Sequence, residues 1–133
     1  MNTNADITIY NSVYDEVKDA YIYQGTVIEG VHWESLEGFF RRTGNSIVSS
    51  DSLRIMVPMS AKSSRAYIEP KEFEMLTNRD EHFTIESESL VVRGKLNVKI
   101  ESSRDLGEHY VITSVDLKDY GRKVMHHWDV TAK

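Results

Sequence analysis

Cysteine is absent from the 133 residues. The chain therefore has neither a disulfide framework nor a thiolate zinc site, which fits a reducing cytosol or a particle assembled inside a cell. Any metal would have to be held by imidazole and carboxylate. Only two prolines occur, Pro58 and Pro70, too few to mark a linker, and neither a repeat nor a low-complexity tract is found. No segment approaches the ~20 apolar residues of a membrane span. The stretch MNTNADITIYN lacks the basic-then-apolar order of a signal peptide, so a soluble protein is expected. Cationic side chains are in the minority: 16 Lys and Arg against 21 Asp and Glu give a formal charge of -5. That balance argues against a broadly basic surface that wraps nucleic acid. Gly-x-Ser-x-Gly, Gly-x-Gly-x-x-Gly and Gly-Lys-Ser/Thr are all missing, which removes the usual serine-hydrolase elbow and the usual phosphate cradles.

What is present is period-two alternation. At residues 52–59, Leu53, Ile55, Val57 and Met59 fall on one side of a strand and Ser52, Arg54, Met56 and Pro58 on the other. Val27, Val31 and Trp33 alternate with Ile28, Gly30 and His32, and Val111, Thr113, Val115 and Leu117 form a largely apolar face opposite Tyr110, Ile112 and Ser114. Further strands are expected at 7–10, 20–23, 89–93 and 125–131, where β-branched and aromatic residues are frequent, with 95–100 continuing or following the strand at 89–93. A short helix is expected at 71–77, opened by Pro70, and a helical turn at 102–106, ended by Gly107. Residues 36–50 and 60–66 mix Gly, Ser and basic side chains and read as loop excursions. The pattern predicts one all-β, mainly antiparallel domain over 1–133, a small closed or partly open β-barrel with one or two short helices. A β-sandwich is the alternative, because strand spacing does not say whether a sheet closes.

Four side chains in a row, His126, His127, Trp128 and Asp129, are the natural place to look for chemistry. On a strand, His127 and Asp129 share a face with Met125, while His126 joins Trp128 and Val130. A catalytic zinc needs three protein ligands, and His32 supplies the third only if its strand is adjacent. The structural alternative packs Trp128 and Val130 inward and leaves His127 and Asp129 to hydrogen-bond at the surface or at a subunit contact. Carboxylate pairs, Glu86 with Glu88 and Asp116 with Asp119, suit acid-base work only at a defined separation across a cleft, and charged side chains also protect sheet edges. The basic pairs Arg41–Arg42 and Lys62–Arg65 suit electrostatic matching to an acidic partner or to passing DNA. Tyr10, Tyr14, Tyr21 and Tyr23 would form a carbohydrate platform if exposed, although tyrosine on alternating faces more often serves core and rim.

The segments GVHWE (30–34), YIEPKEF (67–73), LVVRG (90–94) and ITSVDLKDYGRKVMHHWDV (112–130), together with ITIYN near the start, stand in an order that carries a resemblance. The chain resembles a family of small tailed-bacteriophage and prophage proteins encoded among the head and neck genes of phages of Gram-positive bacteria. Relatives tend to carry a Pro-Gly-Asp turn before the strand matching LVVRG, where this chain reads FTIESESLVVRG. The resemblance implies a virion structural protein of the head-to-tail connector, assembled in the host cytoplasm, with no catalytic residue, cofactor or metal. It implies in particular a head-closure (stopper) subunit of a six-fold or twelve-fold homo-oligomeric ring. Such a ring docks a portal-side adaptor and a tail-side terminator or tube protein and lies close to packaged DNA, away from any membrane. The candidate interface residues, read from the sequence itself, are Phe39, Phe40, Arg41, Arg42, Lys62, Arg65, His127 and Asp129. An adaptor or tail-terminator ring is the alternative within that class, and a metal-dependent hydrolase using His32, His127 and Asp129 is the alternative outside it.

Overall fold

A computed structural model describes residues 2–35, 40–43, 46–49, 53–96 and 99–133, with the backbone alone for 40–43 and 46–49. Its framework begins with a local pairing. β1 (Ala5–Asp15) and β2 (Ala20–Ser35) form a long antiparallel hairpin, from Ala5 opposite Val31 to Asp15 opposite Ala20. The Asp15 carboxylate accepts from the Val17 amide at 2.9 Å and closes the turn, which Asp19 completes at φ 51. This is a region Asp enters more readily than most residues.

Both strands of the hairpin then find second partners. β1 pairs with β9 (Leu90–Arg93), β9 with β10 (Tyr110–Lys118), β10 with β11 (His127–Ala132), β11 with β5 (Leu53–Pro58), and β5 with the far half of β2. Every contact is antiparallel, and the circuit returns to β1, closing a six-stranded barrel rather than a sandwich. Closure leaves no barrel strand with an open row of amides and carbonyls along its whole length. β6 (Lys62–Ser63) adds a short extra strand on β2. β3 (Phe40–Thr43) and β4 (Ser46–Ser49) pair as a separate hairpin, so the stretch expected to be a loop at 36–50 contains strands. The 60–66 excursion likewise carries β6 and the start of β7 (Ala66–Tyr67).

Ile7, Ile9, Ile28, Val31, Ile55, Val57, Val91, Ile112, Trp128 and Val130 fill the interior. At about 25 cal/mol per Å² of apolar surface removed from water, this core is the dominant favourable term. Towards one rim the inward positions turn polar, with buried Asn11 opposite buried Gln24. Residues 66–89 plug that rim through β7, α1 (Pro70–Met75) and β8 (His82–Phe83), which pairs parallel with β7. Phe83 and Ile85 enter the core. Asn11 Nδ2 donates to the Thr84 carbonyl at 2.9 Å and to Ser89 Oγ at 3.1 Å, and its Oδ1 accepts from the Thr84 amide at 3.2 Å. Gln24 Nε2 donates to the carbonyls of Arg79 and His82. A second, smaller cluster lies outside the wall, where Tyr10, Leu90 and Val92 are covered by Leu96, Ile100 and Leu106. Gly25 stands opposite Tyr10 and leaves room for its ring.

Several expectations are corrected by register. In β2 the buried set is Gln24, Thr26 and Ile28, then Val31 and Trp33, so Ile28 faces the core and Val27 does not. The switch falls at a bulge, where Ala5 pairs Val31 but Asp6 pairs Glu29. Gly30 takes φ +83 there, and Asp6 Oδ1 accepts its amide at 3.0 Å. A residue with no Cβ suits that backbone. In β10 a second irregularity between Ile112 and Ser114 has the same effect. Ile112 is buried, whereas Val111 and Leu117, placed on the supposed apolar face, are exposed. Strand β5 ends at Pro58, leaving Met59 exposed. β11 starts at His127, because residues Lys123–Met125 form a 3-10 turn, so neither Met125 nor His126 shares a strand face. Residues 95 and 96 are not in a strand, and Ile100 makes only an isolated bridge to Tyr23. The helix is Pro70–Met75, stopping short of 77, and the expected second turn is a 3-10 segment, Ser103–Asp105, closed by a capping box from Ser102.

Candidate functional site

Strand β11 answers the question of the histidine cluster. Trp128 and Val130 point into the core, and His127 and Asp129 lie outward between them. His127 Nδ1 is 2.8 Å from the Met125 carbonyl, and His126 Nε2 is 3.3 Å from that of Gly121, so both imidazoles hold the backbone of their own connection. Asp129 is taken by an arginine from the neighbouring strand. Arg54 Nε and Nη2 donate to its two oxygens at 2.9 and 2.7 Å, a bidentate fork. That guanidinium holds the Asp129 carboxyl below the usual carboxylate range, and the carboxylate in turn raises Arg54. Glu34 on β2 lies 3.8 Å from the same arginine, so β2, β5 and β11 are laced on their outer face.

His32 is two strands away from Asp129. It pairs with Met56 on β5, and Met56 pairs with Asp129 on β11. At about 4.8 Å per strand, the backbones of His32 and Asp129 are roughly 10 Å apart. His32 Nδ1 meets the Asn2 carbonyl at 3.2 Å. Among the described residues no three His, Asp or Glu side chains converge on one point.

The basic residues go to different tasks. Arg65 donates from Nε to the Asp80 carbonyl at 2.8 Å and from Nη1 to that of Gly25, so it ties the rim plug to β2. Lys62 is exposed and lies 3.8 Å from Glu29, which Lys95 also contacts. Phe39 lies outside the described residues, and Phe40, Arg41 and Arg42 are described only as backbone of β3. Of the carboxylate pairs, Glu86 is half-buried and its carboxyl is pushed up, by burial first and then by Glu74. Glu88 is exposed, at φ 75 in the turn before β9. Asp116 lies beside Lys118 at 3.2 Å and stands opposite Asp129 on the barrel wall, with no cleft between them. Of the four tyrosines, Tyr10 is buried and Tyr23 is partly covered.

Tyr14 and Tyr21 instead meet edge to face at the tip of the β1–β2 hairpin, centroids 5.4 Å apart. Both are exposed, and Val17 at the turn is 95 % exposed. A second concentration of exposed apolar side chains lies at the end of β10 and on the β10–β11 connection, with Leu117, Tyr120, Val124 and Met125. The two places are related by topology. β1 and β10 are both antiparallel to β9 and so run the same way, which puts both connections at the plugged rim. Around the wall, β9 alone separates them on one side and β5 alone on the other, so they lie on opposite sides of the barrel. Between plug and wall, Tyr67, Val115, Leu117 and Trp128 line an apolar groove of about 530 Å³, with Glu86 and Lys71 also on its lining. Tyrosine serving core and rim describes Tyr10 on the one hand and Tyr14 and Tyr21 on the other, whereas Val17, Tyr120 and Val124 stand out only in the structure. Their only signal was apolar residues inside the turn-like runs DEVKD and DYGRKV.

These features define a class: a small antiparallel barrel whose wall is closed and whose exposed apolar side chains include two clusters on connections at one rim. The chain belongs to a protein family of unknown function, DUF6751, whose model matches residues 2–133. No curated protein and no solved structure matches the chain.

Proposed function

We propose that the protein is a non-enzymatic, ring-forming subunit of a tailed-phage head-to-tail connector, of the head-closure or stopper kind. The observation that carries the reading is the placement of exposed apolar side chains on both connections at the plugged rim, Tyr14, Val17 and Tyr21 on one and Tyr120, Val124 and Met125 on the other. Closure pairs each wall strand on both sides over at least part of its length, which limits edge-to-edge extension and favours association through the connections. The small β-barrel also agrees with what the sequence resemblance implies. In this reading the ring is six-fold or twelve-fold and sits in the virion neck between a portal-side adaptor and a tail-side protein. The outward His127 and Asp129 brace the wall through Arg54 and their own turn, and chemistry is not asked of them. An acidic balance of -5 suits a channel through which DNA must pass without being held.

Sedimentation of the purified protein, alone and mixed with the neighbouring ring proteins of the same particle, tests the proposal. A discrete oligomer that binds either neighbour is expected. A monomer at every concentration that binds neither removes the reading.

A further inference from the structure

The two exposed clusters differ in charge as well as in place. The hairpin tip reads Asp15, Glu16, Val17, Lys18, Asp19, and its one cation is neutralised by Glu101 at 2.6 Å. The β10–β11 connection carries Arg122 and Lys123 against Asp119, while Lys118 at the end of β10 is paired with Asp116 at 3.2 Å. Among the described residues, Glu16, Arg122 and Lys123 have no ion-pair partner within the chain. One cluster is therefore apolar with an acidic border and the other apolar with a basic border, on opposite sides of one rim.

We infer that the β1–β2 tip of one copy, through Tyr14, Val17 and Tyr21, docks on the β10–β11 connection of the next, through Tyr120, Val124 and Met125. The inference rests on the ring reading and supplies its contact. Two different patches of the same chain meeting head to tail make a heterologous interface, which closes into a ring when the rotation per copy permits. Because both patches belong to one rim, successive copies stay level and present their plugged ends to the same side. Complementary charge fixes which patch meets which, since tip against tip would bring like charges together. The apolar groove of Tyr67, Leu117 and Trp128 is a less suitable seat for the tip, because Glu69 and Glu86 are among its lining residues.

The absence of cysteine makes the test clean. Val17→Cys and Val124→Cys, at positions 95 % and 64 % exposed, are purified singly, mixed and mildly oxidised, with Met75→Cys on α1, 84 % exposed, as the off-site control. The mixture is expected to give the 17-to-124 disulfide at least tenfold above either variant paired with the control. The doubly substituted chain is expected to give a ladder that ends in a covalently closed ring. Glu16→Lys alone and Lys123→Glu alone should each weaken self-association about tenfold, and the two together should restore it, as for rim charges that select a partner. A sedimenting ring without the 17-to-124 link, a dominant 17-to-17 or 124-to-124 link, or cross-linking of the tip to a different neck protein overturns this contact while leaving the ring reading in place. A monomer under all conditions overturns both.

Discussion

Gly25 offers the sharpest stability test, because the usual expectation for a glycine inside a strand is reversed there. Replacing a strand glycine by alanine ordinarily stabilises by about 0.5–1 kcal/mol, through lost freedom of the unfolded chain. At Gly25 the added Cβ would lie 2.8 Å from Tyr10 Cε1, 3.1 Å from Cζ and 3.3 Å from Thr8 Cγ2. The Tyr10 ring cannot swing away: it is fully buried and packs with Leu90, Val92 and Ile100. Overpacking of this kind costs roughly 1–3 kcal/mol. Set against the intrinsic gain, Gly25→Ala should lose about 1–2 kcal/mol, and each kcal/mol moves the melting temperature by about 3–5 °C in a domain of this size. Urea unfolding followed through the buried Trp33 and Trp128 provides the assay, at one fixed protein concentration because assembly would add to apparent stability. The decisive comparison repeats the substitution in a Tyr10→Leu background, where Cε1 and Cζ are gone. There Gly25→Ala should become neutral or stabilising, a coupling of about 2 kcal/mol between the two sites. Equal effects in both backgrounds would refute the claim that glycine is required by the ring.

Glu88 is an exposed side chain at φ 75, a conformation that costs an ordinary residue about 1 kcal/mol, so Glu88→Gly should raise stability by about that amount in thermal unfolding. Asn11→Ala should cost about 2–4 kcal/mol and speed hydrogen exchange at the Thr84 amide, because the Thr84 amide and carbonyl lose their partner in a buried setting. Asp129→Asn should cost about 1 kcal/mol at neutral pH, a modest figure because Arg54 is half exposed. Its pH dependence has a definite sign. The folded Asp129 pKa lies below the ordinary 3.8, so its contribution is complete above about pH 4 and disappears as pH falls through the lower folded value. The variant's deficit should therefore shrink in acid, which urea titrations at pH 7 and below pH 3 would measure.

The alternation that predicts strands is a local property, and it is reliable where the register runs unbroken. At β5 and β11 it set Leu53, Ile55 and Val57 on one face and Trp128 with Val130 on one face, and these are the buried faces, although Met59, placed with the first set, lies past the end of β5 and is exposed. It failed at β2 and β10 for one reason. A single extra residue, Gly30 in one and the irregularity between Ile112 and Ser114 in the other, turns every following side chain to the opposite face. Nothing within either strand announces that shift except the glycine. Likewise Arg54 looked like one polar residue among several on an outward face, and only the β5–β11 register sets it against Asp129.

By itself, then, the order of residues determined that this is a β protein without disulfides, where most of its strands lie, and that Trp128 turns inward while His127 and Asp129 turn out. Those outcomes depend on side-chain period and turn chemistry, which act over a few neighbours. Closure into a barrel, the seating of residues 66–89 in its rim, and the placing of an acidic tip and a basic connection on opposite sides were decided by tertiary structure. Each depends on which strands become neighbours, and that is settled by long-range hydrogen-bond pairing and burial summed over the whole wall rather than by any one segment.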